Sequence, residues 1–235
     1  MMVDQLIMPV ITQIPGLDLD FLSEEPANVA TTIQLLIVLT VLSLAPGILI
    51  LMTSFTRIVI VLSFVRQGLA TQSMPPNQVL IGLALFLTFF IMAPIFAEVN
   101  EQALTPFLEG ELTQEQALEQ AAVPMKEFMA KHTREKDLAL FMGYAGMDRP
   151  ESLDDIPLTA LIPAFAISEL KTAFQIGFLI FVPFLVIDMI VASVLMSMGM
   201  MMLPPVMIAL PFKILLFVLV DGWYLIVQSL LLSFS

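Results

Sequence analysis

Six ionisable residues stand inside blocks of otherwise apolar sequence: the cations Arg57, Lys171 and Lys213, and the anions Glu169, Asp188 and Asp221. Charged groups in such surroundings are costly, so they face a partner or a water-filled space. Three uses are open to them: ion pairs that fix register between subunits, a proton relay, or charges beside a pore or partner interface. Glu169 and Lys171 lie two residues apart on different helix faces and do not pair with each other. Each therefore needs a partner on another helix or another subunit, and Lys213 with Glu169 or Asp188 is the expected pairing.

A second group is methionine. Met196, Met198, Met200, Met201, Met202 and Met207 fall within twelve residues, three of them consecutive before Leu203-Pro204-Pro205. Methionine is flexible and fills irregular gaps. Three in a row at a hairpin tip exceed what helical spacing would bury. They read either as core and lipid contact or as a soft apolar constriction built from several copies.

Other chemistries are missing their reagents. The 235 residues contain no cysteine, so disulfides, thiolate nucleophiles and Cys-type metal sites are excluded. A single histidine, His132, excludes an HExxH zinc site and makes Ser-His catalysis improbable; it reads as a solvated or interfacial side chain. No Gly-rich phosphate loop occurs, and no cofactor is expected. A net charge of −12 argues against nucleic acid.

The elements that position these residues belong to a membrane protein. Hydrophobic residues make up 59% of the chain and charged ones 13%, more apolar than a soluble domain of this length can hide. Four regions follow. Residues 1–32 form an acidic arm with five acids and no Lys or Arg. It does not read as a signal peptide, because it lacks a basic start and its apolar run is short. Residues 33–97 form an apolar helical hairpin whose halves, 33–52 and 79–97, carry no charge and are long enough to cross a bilayer. Residues 98–157 form a small acidic helical domain with thirteen acids against five bases. Residues 158–235 form a second apolar hairpin, split at Pro204-Pro205.

Hydropathy alone implies four spans with tips at about 66–78 and 199–205. Arg66 and Arg57 place the first tip in the cytoplasm and the acidic regions outside. Pro46, Pro94, Pro183 and Pro211 imply bent helices packed in protein rather than straight rods. Eighteen phenylalanines against one tryptophan and two tyrosines give no interfacial aromatic belt. In the acidic region, Thr113-x-x-Gln116 predicts a capping box for a helix to about Ala122. Pro124 is expected to start the next helix, whose apolar stripe includes Met125, Phe128, Met129, Leu138, Phe141 and Met142. A loop follows at Gly143, Gly146 and Pro150, and Ser152-x-x-Asp155 is expected to cap the return helix.

Several long strings resemble signatures of the FliP family, called SctR in injectisomes. They are Thr53-Ser54-Phe55-Thr56-Arg57-Ile58-Val59-Ile60-Val61 and Ser168-Glu169-Leu170-Lys171-Thr172-Ala173-Phe174-Gln175-Ile176-Gly177-Phe178. Gly199-Met200-Met201-Met202-Leu203-Pro204-Pro205, Leu210-Pro211-Phe212-Lys213 and Val220-Asp221-Gly222-Trp223 are similar too. Pro75-Pro76-Asn77-Gln78 and Leu85-Phe86-Leu87-Thr88-Phe89-Phe90 resemble the flagellar branch.

This resemblance implies an all-α, membrane-associated chain of kinked helical hairpins with a helical extracytoplasmic insertion. It further implies a core subunit of the flagellar type III protein export gate in the bacterial inner membrane, within the basal body. About five copies, with the FliQ and FliR subunits, would form a helical pore passing unfolded flagellar subunits, much of it above the bilayer plane. Met200, Met201 and Met202 would then be the pore gasket. Glu169 and Lys213 would be an inter-subunit ion pair, with Asp188, Lys171, Arg57 and Asp221 as further candidates. Many family members carry a cleavable leader.

Two other classes remain to be weighed. A proton- or ion-coupled transporter would use Asp188, Glu169 and Lys213, but such proteins usually show internal repeats and more spans. An intramembrane enzyme lacks a nucleophile and base set.

Overall fold

The computed structural model describes residues 36, 39–40, 43–71, 73–148, 150, 152–200 and 202–234. The acidic arm expected at 1–32 lies outside them. The chain divides into two units, Met1–Ile48 and Leu49–Ser235. The described part of the first unit is helical over 43–48. Every element described next belongs to the second unit.

After helical residues 49–52 the backbone turns at Thr53-Ser54. The Thr53 hydroxyl donates to the Leu49 carbonyl at 2.5 Å and accepts from the Phe55 N–H at 3.3 Å, replacing helix bonds lost at the break. Helix α1 (Phe55–Gly68) then buries Ile58, Val61, Leu62, Val65 and Gly68, one helical face set by three- and four-residue spacing. A turn at 69–76 leads to α2 (Asn77–Val99), so the first tip falls where the polar connector implied. A π-helical segment (Asn100–Leu104) and α3 (Thr105–Leu108) extend α2. Only Leu80, Ala84, Thr88 and Met92 of α2 are buried, a narrow stripe repeating every fourth residue.

Helix α4 (Gln114–His132) opens on the expected capping box, in which the Gln116 N–H donates to the Thr113 hydroxyl and the Thr113 N–H to the Gln116 side chain. It does not end before Pro124. The proline sits buried inside a continuous helix, so the expected helix start there is corrected. An internal proline costs one backbone bond, and burial of Phe128 and Met129 on the same helix offsets it. Helix α5 (Glu135–Tyr144) follows. The Ser152 N–H and hydroxyl both donate to Asp155, but in a turn ahead of the return helix. That helix begins after Pro157 without a side-chain cap, a second correction.

Helix α6 (Leu158–Ser197) is one 40-residue helix that runs through Pro163 and Pro183. At 1.5 Å per residue it extends about 60 Å, twice the roughly 30 Å of hydrocarbon in a bilayer. Only 6% of its most apolar stretch is buried. The expected second tip at 199–205 separates α6 from α7 (Pro205–Leu219), and α8 (Gly222–Leu232) follows.

The sharp bend between α7 and α8, 63°, occurs not at Pro211 but at Asp221, whose φ of +51° is left-handed. Pro94, Pro183 and Pro211 lie inside helices, while the bends fall at Thr53-Ser54 and Val220-Asp221. Among the described residues two helices, Asn77–Leu108 and Leu158–Ser197, are long and apolar enough to cross a membrane, and up to four spans result if each bent pair counts as one. Among the described residues there is no strand.

The core lies where α1 packs along α6. Gly177 admits the Phe64 ring, which a Cβ would meet at 2.4 Å, and Gly68 admits Phe184 at 2.7 Å. Phe64 also meets Phe174 edge-on, with centroids 5.3 Å apart.

Candidate functional site

The four best-shielded ions of the apolar blocks form two pairs within one chain. Arg57 is 3% exposed and Glu169 fully buried, because both point into the α1–α6 seam. The guanidinium grips Glu169 with two bonds, Nε to Oε2 at 2.9 Å and Nη2 to Oε1, the forked geometry that suits Arg and carboxylate. Its other terminal nitrogen donates to the Ser233 carbonyl at 2.7 Å and hydroxyl at 3.0 Å. The Phe234 ring covers the guanidinium, 3.8 Å from its carbon. Arg57 thus joins α1, α6 and the segment after α8.

The second pair links α6 to α7. Lys213 is 1% exposed, and its ammonium donates to Asp188 Oδ2 at 2.6 Å. The other Asp188 oxygen is buried without a partner. Of the two pairings expected for Lys213, the one with Asp188 forms inside a chain. Glu169 is held by Arg57 instead, because α1 rather than α7 covers that part of α6. Lys171 and Asp221 are exposed. Among the described residues no three His, Asp or Glu side chains converge where they could hold a metal ion.

His132 sits at the end of α4, half-buried between aromatic rings. Its ring lies 4.9 Å from Phe128 and 5.2 Å from Phe234, centroid to centroid. Burial, then the positive charges of Arg57 and Lys131, lower its pKa from 6.5 to about 4, so it is neutral near pH 7. Asp137 on α5 receives the Ser168 hydroxyl proton at 2.7 Å and pairs with Arg134. Burial pushes its pKa up, but those two hydrogen bonds and the nearby charges outweigh it and hold the carboxyl below its ordinary value. Ser168 also accepts from the Arg134 N–H at 3.0 Å, which locks the start of α5 onto α6.

The α6–α7 turn carries the methionines. Gly199 adopts φ +75°, which closes the helix in the left-handed region that favours glycine. Met198 is 62% exposed, Met200 42% and Met202 98%. Met201 lies outside the described residues.

Sequence reasoning missed Ser233 and Phe234. They stand in a featureless apolar run, and only the folded chain brings them to Arg57. Ser168 belongs to a string already singled out, yet nothing in the sequence announced its hydrogen bond to Asp137.

Comparison with known proteins completes the description. The model of the family described as "FliP family" matches residues 38–230. The "Flagellar biosynthetic protein FliP" of Bacillus subtilis (strain 168) is 76% identical over 91% of this chain and 97% of its own length. That of Pectobacterium carotovorum subsp. carotovorum is 51% identical over 94% of this chain and 86% of its own. That of Aquifex aeolicus (strain VF5) is 49% identical over 96% and 94%. With matches of that depth spanning both ion pairs and the methionine turn, the chain belongs to the FliP family.

Proposed function

We propose that the chain is a pore-forming core subunit of the flagellar type III protein export gate in the bacterial inner membrane, at the flagellar basal body. Several copies, about five by family resemblance, join FliQ- and FliR-type subunits to enclose a channel for unfolded flagellar subunits. The acidic region 98–157 faces the periplasm, and no catalytic step takes place on this chain. The identity to proteins named for flagellar biosynthesis supports the process, and one structural observation carries the pore reading. A glycine-closed turn between two apolar helices leaves Met198 and Met202 mostly exposed and Met200 42% exposed among the described residues.

A ring of such turns makes a soft plug, because methionine repacks around whatever passes. Met200, Met201 and Met202 form that gasket in this reading. The buried pairs Arg57–Glu169 and Lys213–Asp188 keep each copy's helices in register behind it. Lys171 and Asp221 remain exposed and available to neighbouring copies.

Deleting Met200 to Met202 in the assembled gate tests the proposal. Ion or small-solute leak across the membrane is expected to rise while assembly persists. Unchanged permeability in a correctly assembled gate would remove the gasket.

A further inference from the structure

We propose that α8 is a hinged strap: it pivots at Asp221-Gly222 and latches at its far end, where Ser233 and Phe234 close across Arg57 onto α4. Latched, it fastens the acidic region 98–157 to the apolar helices. The strap uses contacts within one chain and does not depend on the pore reading.

The hinge is built from a strained residue and a small one. Asp221 holds φ +51° and ψ +55°, a left-handed conformation that residues with a Cβ seldom adopt. Gly222 follows because a Cβ there would meet the Phe217 ring at 2.4 Å. Trp223 then packs edge-on against Phe217, with centroids 5.3 Å apart, so the near end of α8 is seated on α7.

Between hinge and latch the arm is thinly held. Gly222, Ile226, Leu230 and Phe234 are buried at every fourth position, a single line along the helix. Tyr224 and Leu225 are exposed. The two bonds between Arg57 and Glu169 do not pass through this arm. Lifting α8 therefore leaves the α1–α6 seam closed, which makes the arm a unit able to open by itself.

The latch gathers two further elements on one ring. Arg57 of α1 donates to the Ser233 carbonyl at 2.7 Å and to its hydroxyl at 3.0 Å. The Phe234 ring lies 3.8 Å over the guanidinium carbon, stacks on Phe128 at 6.3 Å and meets His132 edge-on at 5.2 Å. Phe128 and His132 both belong to α4. The charges around His132 are Arg57 of α1, itself held by Glu169 of α6, and Lys131 on its own helix. Lifting Phe234 uncovers His132, and the ring then takes up a proton at higher pH, because burial is the main force keeping it neutral. As the one histidine of the chain, it reports on the latch without interference.

The test is hydrogen exchange of the full chain in detergent, read by mass spectrometry, with an NMR titration of His132. In the unaltered chain the amides of α8 are expected to exchange as a unit, at least about tenfold faster than those of the α1–α6 seam. Equal protection of the two overturns the strap. Phe234→Ala is expected to speed the exchange of α8 while the seam keeps its protection, and to raise the His132 midpoint from about 4 toward 6.5. Phe234→Tyr, which keeps the ring, and Tyr224→Ala, on the exposed side of α8, leave both readings as they were. Loss of protection in the seam together with α8 assigns Phe234 to the common core and overturns the hinge. An unmoved His132 midpoint in Phe234→Ala overturns the latch. Should that variant fail to fold, the exchange of the unaltered chain decides.

Discussion

Arg57 makes four hydrogen bonds, two to Glu169 and two to Ser233, while Phe234 covers its face. A guanidinium buried so completely is tolerable only because its polar edge meets acceptors. The Lys213–Asp188 pair is leaner, with one bond and one carboxylate oxygen left over. Removing Lys213 leaves Asp188 unpaired but partly exposed, so the loss is smaller than for a fully buried pair. Lys213→Ala should therefore lower the thermal stability of the purified chain. Lys213→Asp combined with Asp188→Lys should recover most of that loss. Recovery with Glu169→Lys in place of Asp188→Lys would instead assign the pairing to neighbouring copies. The sequence showed that these ions needed partners, since charges in apolar blocks cannot stand alone. It gave no means to choose Arg57 over Lys213 for Glu169, because helix spacing says nothing about which helix lies alongside.

At the scale of elements, α1 and α6 are held by shape as much as by charge. Phe64 fills the space left by Gly177, and Phe184 the space at Gly68. A side chain at Gly177 meets the Phe64 ring and its Cβ at 3.0 Å or less, so relief requires a shift of α1 itself. Gly177→Val should cost about 1–3 kcal/mol by overpacking and be relieved in part by Phe64→Ala. Gly82→Ala on α2, where no atom lies within 4 Å, should not destabilise and should raise stability by up to about 1 kcal/mol. Thermal unfolding of the three variants in the same detergent checks the contrast. The two tips and the capped start of α4 were legible from apolar run lengths and the capping box, but the helix expected to begin at Pro124 and the cap expected at Ser152 were not found. Nor were the helix breaks legible. Prolines 94, 124, 183 and 211 stay within continuous helices, and only Pro124 is buried, whereas Asp221 turns left-handed and bends the chain.

At the scale of the molecule, the described apolar helices bury little in their own chain. Only 6% of the most apolar stretch of α6 and 22% of that of Asn77–Leu108 is covered. Such faces call for lipid or other protein. Native mass spectrometry after co-expression with FliQ- and FliR-type partners should return a discrete homo-oligomer carrying smaller membrane subunits. A monomer or dimer without partners would favour the coupled-transporter reading over the pore.

Composition by itself determined that this is a membrane-associated chain and that thiol chemistry is excluded, because apolar content and the missing cysteine need no coordinates. Long motifs in order determined the family. Tertiary structure decided which charges meet, and that Ser233 and Phe234 close over Arg57. Those outcomes depend on which helices pack side by side, and contacts between residues up to 176 positions apart leave no periodic trace along the chain.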